Sequence, residues 1–367
     1  MSTSEVRPAT RAKVARSVFK NNLRVKKGDR VIVEAWTHTL PWAVSFAREA
    51  RRLGAHPIVP YEDEAAYWDA VEKDQNGVVG EVSDHEWAAL GKTDVYIHFW
   101  GPGDRLRLSS LPAKQRGSLF QFNEQWYKNA SKAGLRGARM ELGRVYPSLA
   151  RAYGVDPAKW TDQLIRGTMV NPDALARTAA PIAKALARGK RVRIRDDQGT
   201  DLTLGLARRT PAINIGRLSS ADIKRPFGML TTLPAGGMRV AVDETVADGT
   251  FVGNRTNYYE SGRATGGVFR FRKGKLTDYE FARGQELFDA DYKAGGKGRD
   301  QPGMLGFGLN PGLHDTPQLE DNELGAVMVS VGGNRFSGGK NPSPFFGWVI
   351  NAGATLEVDG REVRPGR

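Results

Sequence analysis

Short apolar runs alternate with amphipathic stretches through the first half of the chain. Val31-Ile32-Val33-Glu34-Ala35-Trp36 is too short for a helix and nearly continuous in apolar residues, so it predicts a buried strand. Residues 40–53 follow with helical periodicity, and Gly54 stops them. Pro57-Ile58-Val59 predicts a second strand, residues 64–72 and 84–90 predict helices, and Asp94-Val95-Tyr96-Ile97-His98-Phe99-Trp100 predicts a further buried strand ended by Gly101-Pro102-Gly103. Strands and helices in alternation predict a mostly parallel sheet covered on both faces. Ahead of them, Val14, Val18 and Phe19 fall at helical spacing among Arg11, Lys13, Arg16 and Lys20, which predicts an amphipathic helix with a solvated basic face.

An alanine-rich helix over residues 172–188 closes this half, and the texture changes after Gly189. Residues 191–195, 202–206, 238–242, 267–272 and 326–331 are short alternating runs separated by Gly-rich turns, as in antiparallel sheets. The expected fold class is α/β: an N-terminal mostly parallel α/β domain over residues 1–188, then a β-rich (α+β) C-terminal domain over residues 189–367 that carries the active-site pocket.

Composition narrows the chemistry. With 367 residues, 40% of them apolar and 26% charged, the chain is long enough for two globular domains. It contains no cysteine, which excludes thiol nucleophiles, Cys-ligated zinc, iron–sulfur clusters and disulfides. The net charge of +13 permits anionic partners. The first thirty residues hold nine Lys/Arg against Glu5 and Asp29, without the apolar core of a secretory signal, and no apolar stretch is long enough to span a bilayer. A cytoplasmic protein with no membrane partner is expected. No aromatic platform accompanies the basic N-terminus, so no nucleic-acid partner is expected either.

Of the five histidines, no two lie three or four residues apart, so no helix face carries a histidine metal pair. His38 follows a buried strand at the carboxyl end, where α/β sheets place ligands, and Trp36, Pro41 and Trp42 crowd it; a site role and a packing role both fit. His314-Asp315 lies in a loop after Gly308-Leu309-Asn310-Pro311-Gly312-Leu313, with Glu320, Asp321 and Glu323 close behind. Carboxylates beside a loop histidine tune it for proton transfer near neutrality, although a solvated acidic loop has the same composition. No Gly-x-Ser-x-Gly elbow, P-loop or dinucleotide fingerprint is present.

Several segments then look familiar. Val25-Lys26-Lys27-Gly28-Asp29-Arg30-Val31-Ile32-Val33-Glu34, Ala47-Arg48-Glu49-Ala50-Arg51-Arg52-Leu53-Gly54-Ala55-His56-Pro57, Gly199-Thr200-Asp201-Leu202-Thr203 and Leu233-Pro234-Ala235-Gly236 resemble, in order, the cobalt- or zinc-dependent metallopeptidases of the aminopeptidase T and aminopeptidase S type. The resemblance continues through Glu286-Leu287-Phe288-Asp289 and Thr355-Leu356-Glu357-Val358-Asp359-Gly360. It implies an aminopeptidase T-like fold, a homodimer or higher homo-oligomer, and two divalent metals held by two glutamates, two histidines and an aspartate, with a tyrosine nearby. At the matching places this chain has Gly237, Phe307, Met328, Phe346 and Trp348, with Arg335 or Phe336 near the tyrosine position. The resemblance thus implies a divergent member without metal ligands, and neither metal nor other cofactor is expected.

Phe307, Met328, Phe346 and Trp348, with Arg335 and Lys340 at the edge, would form an aromatic-walled cavity for a flat ring carrying an anionic or polar substituent. The same residues would equally fill a core left by lost metals. Relatives with this fold include a dihydroxypyridine-cleaving dioxygenase, so the fold accepts heteroaromatic rings. The first expectation is a metal-independent hydrolase of a small, flat, heteroaromatic compound, in which water displaces an amino- or nitro-type ring substituent. His314 would be the general base, oriented by Asp315 or Glu323, with Arg335 stabilising negative charge and His38 as alternative base. The second is a metal-dependent aminopeptidase with ligands rearranged among Asp243, Glu244, Glu260, Glu323, His38 and His314. The third is a non-catalytic binding protein.

Overall fold

The computed structural model describes residues 6–74, 77–225 and 228–366. The chain forms two compact units, one of Met1–Met169 with Gly216–Pro234, the other of Val170–Ile215 with Ala235–Arg367. The parallel sheet lies in the first and the antiparallel sheets in the second, as the alternation of strand and helix and its later loss imply.

The first unit is built on five parallel strands in the order Leu230–Leu233, Arg136–Met140, Val95–Phe99, Arg30–Val33, His56–Ile58. Numbered along the chain, that order is 2-1-3-4-5 read from the other edge, so the connections change direction between Arg30–Val33 and Val95–Phe99. Both strands are almost wholly buried, which explains their continuous apolar runs. Helix Leu40–Arg52 buries Trp42, Phe46, Ala47 and Ala50 along one stripe. The N-terminal helix Pro8–Ser17 and the wider turn Val18–Leu23 bury Val14, Val18 and Phe19, whose ring meets Phe46 edge-on at 5.3 Å. Of the basic residues interleaved with them, Lys13, Arg16 and Lys20 are exposed, whereas Arg11 is half-buried and donates to the Val6 carbonyl.

The division between the units differs from the expected break at residue 188. Helix Pro172–Arg188 groups with the second unit: Leu175, Ala179, Ile182 and Leu186 are buried, and the Thr178 carbonyl accepts the Gly366 N–H at 3.0 Å. Gly216–Pro234 returns to the first unit, where Leu230 pairs with Gly137 and Leu233 with Met140. Leu230-Thr231-Thr232-Leu233 is one short run inside a β-rich stretch, and nothing local marks its sheet.

In the second unit a seven-stranded sheet runs Lys275–Glu280, Val268–Arg272, Ala247–Val252, Asp201–Gly205, Arg191–Arg195, Thr355–Val358, Arg361–Glu362. A five-stranded antiparallel sheet runs Phe346–Ala352, Ala326–Gly332, Pro302–Gly308, Gly237–Ala241, Ala212–Asn214. Helix Gln285–Ala294, which the pattern does not announce, places Phe288 against Phe269 and Phe345. The loop from Leu309 to Gly325 folds back over the end of the five-stranded sheet. Asn310 donates its side-chain amide to the Ala235 carbonyl at 2.6 Å, and a Cβ on Gly308 would lie 1.8 Å from the Glu323 carbonyl oxygen, so only glycine fits there. Among the described residues no helix is long and apolar enough to cross a membrane.

Candidate functional site

Side chains two apart on a strand share a sheet face. The register aligns Arg239, Gly306, Met328 and Ile350 in one row, so Gly237, Met304, Trp348 and Phe346 fall on that same face. Ala241, Met304, Ala326, Met328 and Ile350 form a buried apolar cluster on it, with Phe346 and Trp348 half-buried against them. The Phe346 and Trp348 rings stack with centroids 5.6 Å apart, and the Tyr259 ring lies 5.3 Å from Trp348. Met328, Phe346 and Trp348 are therefore brought together on one face.

Phe307 is not part of it. It pairs with Met238 and Val327, one residue out of phase, and so points to the opposite face. Met304 occupies the strand's place on the aromatic face. Arg335 also stands apart: it is exposed on the short turn Arg335–Ser337, where the neighbouring Phe336 ring meets Phe346 edge-on at 5.8 Å. The cation on the face itself is Arg239, paired with Asp321 at 2.5 Å. Asp321 and Glu320 sit on the buried turn Glu320–Asn322 within the Leu309–Gly325 loop.

Glu320 is the most perturbed acid at this end of the sheet. Its Oε1 accepts the Trp348 Nε1–H and the Tyr258 backbone N–H, both at 3.4 Å, while Oε2 is buried with no partner among the described residues. Burial first, and the neighbouring Asp321 charge second, push its pKa up to about 8, so the carboxyl is mostly protonated at neutral pH. Nothing in the local sequence separates Glu320 from the other acids of the loop; only the fold back over the sheet buries it.

His314 lies further along the same loop. Its Nδ1 is 3.0 Å from Glu323 Oε1, and its side chain is 71% exposed. Glu323 is gripped by Arg255 through two 2.8 Å bonds and by the Asp315 N–H at 2.9 Å. Burial alone would raise the Glu323 pKa, but Arg255, the Asp315 N–H and His314 together bring it down to about 2. An ionised Glu323 accepts the Nδ1–H of the ring, which in that tautomer leaves the lone pair on Nε2. Of the two expected orienting groups, Glu323 does this and Asp315 does not: the Asp315 carboxylate accepts the Thr256 N–H and hydroxyl at 3.0 and 2.8 Å.

His38 belongs to the first unit. It is nearly buried, with Nε2 2.8 Å from the Gly143 carbonyl and Nδ1 3.9 Å from Glu64. Burial lowers its pKa against the smaller raising effects of these partners, so the imidazole is neutral at pH 7 and Nε2–H is the donor to Gly143.

The family profile described as thermophilic metalloprotease (M29) matches residues 9–293. The chain belongs to this family. Wild-type AmpT from Thermus thermophilus shares its fold, with 19% identity over 98% of both chains and a TM-score of 0.68. So does 2,5-dihydroxypyridine dioxygenase from Pseudomonas putida KT2440, with 18% identity over 98% of this chain and 97% of that one and a TM-score of 0.62. No curated protein matches. The M29 match ends before the strands that carry Met304, Met328, Phe346 and Trp348.

The metal that the M29 description implies does not fit the residues present. Gly237, Phe346 and Trp348 offer no donor, and the thioethers of Met304 and Met328 are soft ligands unsuited to a hydrolytic zinc or cobalt site. Three carboxylates of a rearranged site, Asp243, Glu244 and Glu323, are committed elsewhere. Asp243 caps Thr245, and Glu244 accepts from Arg209, Asn334 and the Lys340 N–H; burial raises its pKa, but these partners bring it to about 2. Among the described residues no three His, Asp or Glu side chains are grouped to hold a metal ion.

Proposed function

We propose that this M29 member is a hydrolase of a small, flat, heteroaromatic compound and works through its own side chains rather than a bound metal. The observation that carries the reading is the stacked, half-buried Phe346–Trp348 pair on a face where the family's catalytic ligands are replaced by apolar groups. The likeness in fold to a dihydroxypyridine dioxygenase supports a heteroaromatic ring as the substrate.

In this reading the ring lies against Trp348 and Phe346, and Arg239 attracts an anionic substituent. The oxygen of a water molecule bonds to the ring carbon bearing an amino group while His314 Nε2 accepts the water's proton. Glu320 returns a proton to the leaving nitrogen, which departs as ammonia and leaves a ring hydroxyl; a nitro substituent would depart as nitrite without that proton. Positioned acid–base groups contribute about 10²- to 10⁴-fold in rate, so the ring must itself be electron-poor.

Membership of M29 favours a second reading, an aminopeptidase with a metal held by a ligand set of another kind. Elemental analysis of metal-replete protein, with turnover of aminoaryl and nitroaryl carboxylates and of amino-acid anilides measured with and without a chelator, separates the two. Chelator-insensitive release of ammonia or nitrite from the aryl compounds is expected. Stoichiometric metal with chelator-sensitive anilide cleavage would overturn the first reading.

A further inference from the structure

The first unit has a cavity of its own. About 310 Å³ in volume, it is lined by His38, Asp104, Tyr146, Ser148 and Arg151, with Val145 and Pro147 completing an apolar side. His38 follows the strand Arg30–Val33, Asp104 follows Val95–Phe99, and residues 145–151 follow Arg136–Met140. The cavity thus opens at the carboxyl ends of the parallel strands, beside the point where the connections reverse between Arg30–Val33 and Val95–Phe99. Open α/β sheets bind ligands at that place, because the loops leaving the two strands diverge there and leave a crevice.

The loop after Val95–Phe99 is held in position. Glu64 accepts the backbone N–H groups of Gly103 and Asp104 at 2.8 and 3.0 Å and the Trp68 indole N–H at 3.0 Å. A Cβ at Gly103 would lie 2.4 Å from the Tyr146 ring and 3.0 Å from His38 Nδ1, so glycine is what allows this close approach. The carboxylate of Asp104 accepts the Ser148 hydroxyl at 2.9 Å and the Arg107 N–H at 3.3 Å, both on Oδ1. Its Oδ2 carries no hydrogen bond among the described residues. Arg151, exposed on the same cavity, has no ion-pair partner among the described residues. One carboxylate and one guanidinium therefore line a single cavity without pairing with each other, beside an apolar side made by Val145, Pro147 and the edge-on rings of His38 and Tyr146, 5.4 Å apart.

We infer that this cavity binds a small zwitterion of amino-acid size, with its ammonium on Asp104 Oδ2, its carboxylate on Arg151 and its apolar side chain against Val145, Pro147 and Tyr146. The neutral His38 imidazole, fixed by Gly143, completes the side without adding charge. All the residues that line it belong to the first unit.

Calorimetric titration of the full chain with L-leucine, leucinamide and N-acetyl-L-leucine tests the assignment. L-leucine is expected to bind saturably and more tightly than either analogue. Asp104→Asn should weaken L-leucine and leucinamide about tenfold or more and leave N-acetyl-L-leucine unchanged; Arg151→Gln should weaken L-leucine and N-acetyl-L-leucine and leave leucinamide unchanged. Arg151 is exposed, so its variant decides the matter even if Asp104→Asn fails to fold. Trp348→Ala should bind L-leucine as the wild type does. The inference is overturned if no saturable binding is found, if Arg151→Gln binds all three compounds unchanged, or if Trp348→Ala removes L-leucine binding.

Discussion

His38 and His314 each hold one ring nitrogen against an oxygen, yet they are opposite in burial. His38 is only 10% exposed, sits among backbone carbonyls and is kept neutral by burial; His314 is 71% exposed and is backed by a carboxylate whose charge Arg255 secures. The same contrast separates the regions around them. The carboxyl end of the parallel sheet carries charged groups around a cavity, whereas the face of the antiparallel sheet carries methionine and stacked aromatic rings, with its acids on a buried turn of the loop that folds back over it. Retained charge suits recognition of a charged ligand, and an apolar wall with one protonated acid suits a flat ring. The lesson is that a histidine's residue type says little until its burial and its partner are known.

The largest effect that would sharpen this contrast comes from the histidines themselves. His314→Ala is expected to lower kcat on an aryl substrate by about 10²- to 10⁴-fold with an unchanged melting temperature. His38→Ala should instead cost about 1–3 kcal/mol of stability, through the orphaned Gly143 carbonyl and the lost packing, with kcat on the aryl substrate preserved. An unchanged kcat in His314→Ala would remove that residue from the chemistry.

Next in size is the buried acid. The folded-state pKa of Glu320 is raised to about 8 from the ordinary 4.5. Between those values the unfolded chain has released a proton that the folded chain keeps, so stability falls as pH rises through the window and levels off above it. Glu320→Gln removes this dependence. Urea denaturation at pH 5 and pH 8.5 should therefore show the variant gaining on the wild type at the higher pH, by an amount on the order of a few kcal/mol. Parallel behaviour at the two pH values would mean that Glu320 is ionised in the folded protein.

The smallest effect tests the border of the aromatic face. Arg335→Gln should change KM for an aryl substrate less than twofold and stability by no more than about 0.5 kcal/mol, since the side chain is solvated. Arg239→Gln should raise KM severalfold, because that cation lies in register with Met328. The reverse order would return Arg335 to the site.

Much of this was legible before any coordinates. Continuous apolar runs mark Arg30–Val33 and Val95–Phe99 because both strands are covered on two faces, and the stripe of Leu40–Arg52 marks its helix. Met328, Phe346 and Trp348 were reached through the resemblance, which set them at the places of metal ligands, and the strand register puts all three on one face. Phe307 misled by a single residue, since a shift of one turns a strand side chain to the other face, and Met304 was missed for the same reason. Glu320 and Arg239 had no local signal: the burial of one and the placing of the other depend on a long-range fold-back and a cross-strand register. Helix Pro157–Thr168 did have a cue, Asp156 ahead of Pro157 at the helix start, whose carboxylate caps the Ala158 and Lys159 N–H groups.

The return of Gly216–Pro234 to the first unit bears on how the protein is made. A nascent chain emerging N-terminus first presents Arg136–Met140 as an open strand edge, and its neighbour Leu230–Leu233 arrives only after part of the other unit has been synthesised. The parallel sheet therefore cannot be finished until part of the second unit has been made. A ribosome stalled after Met169 would display a bare edge to any other strand nearby, which makes that stage of synthesis the one most exposed to mispairing and most in need of a chaperone.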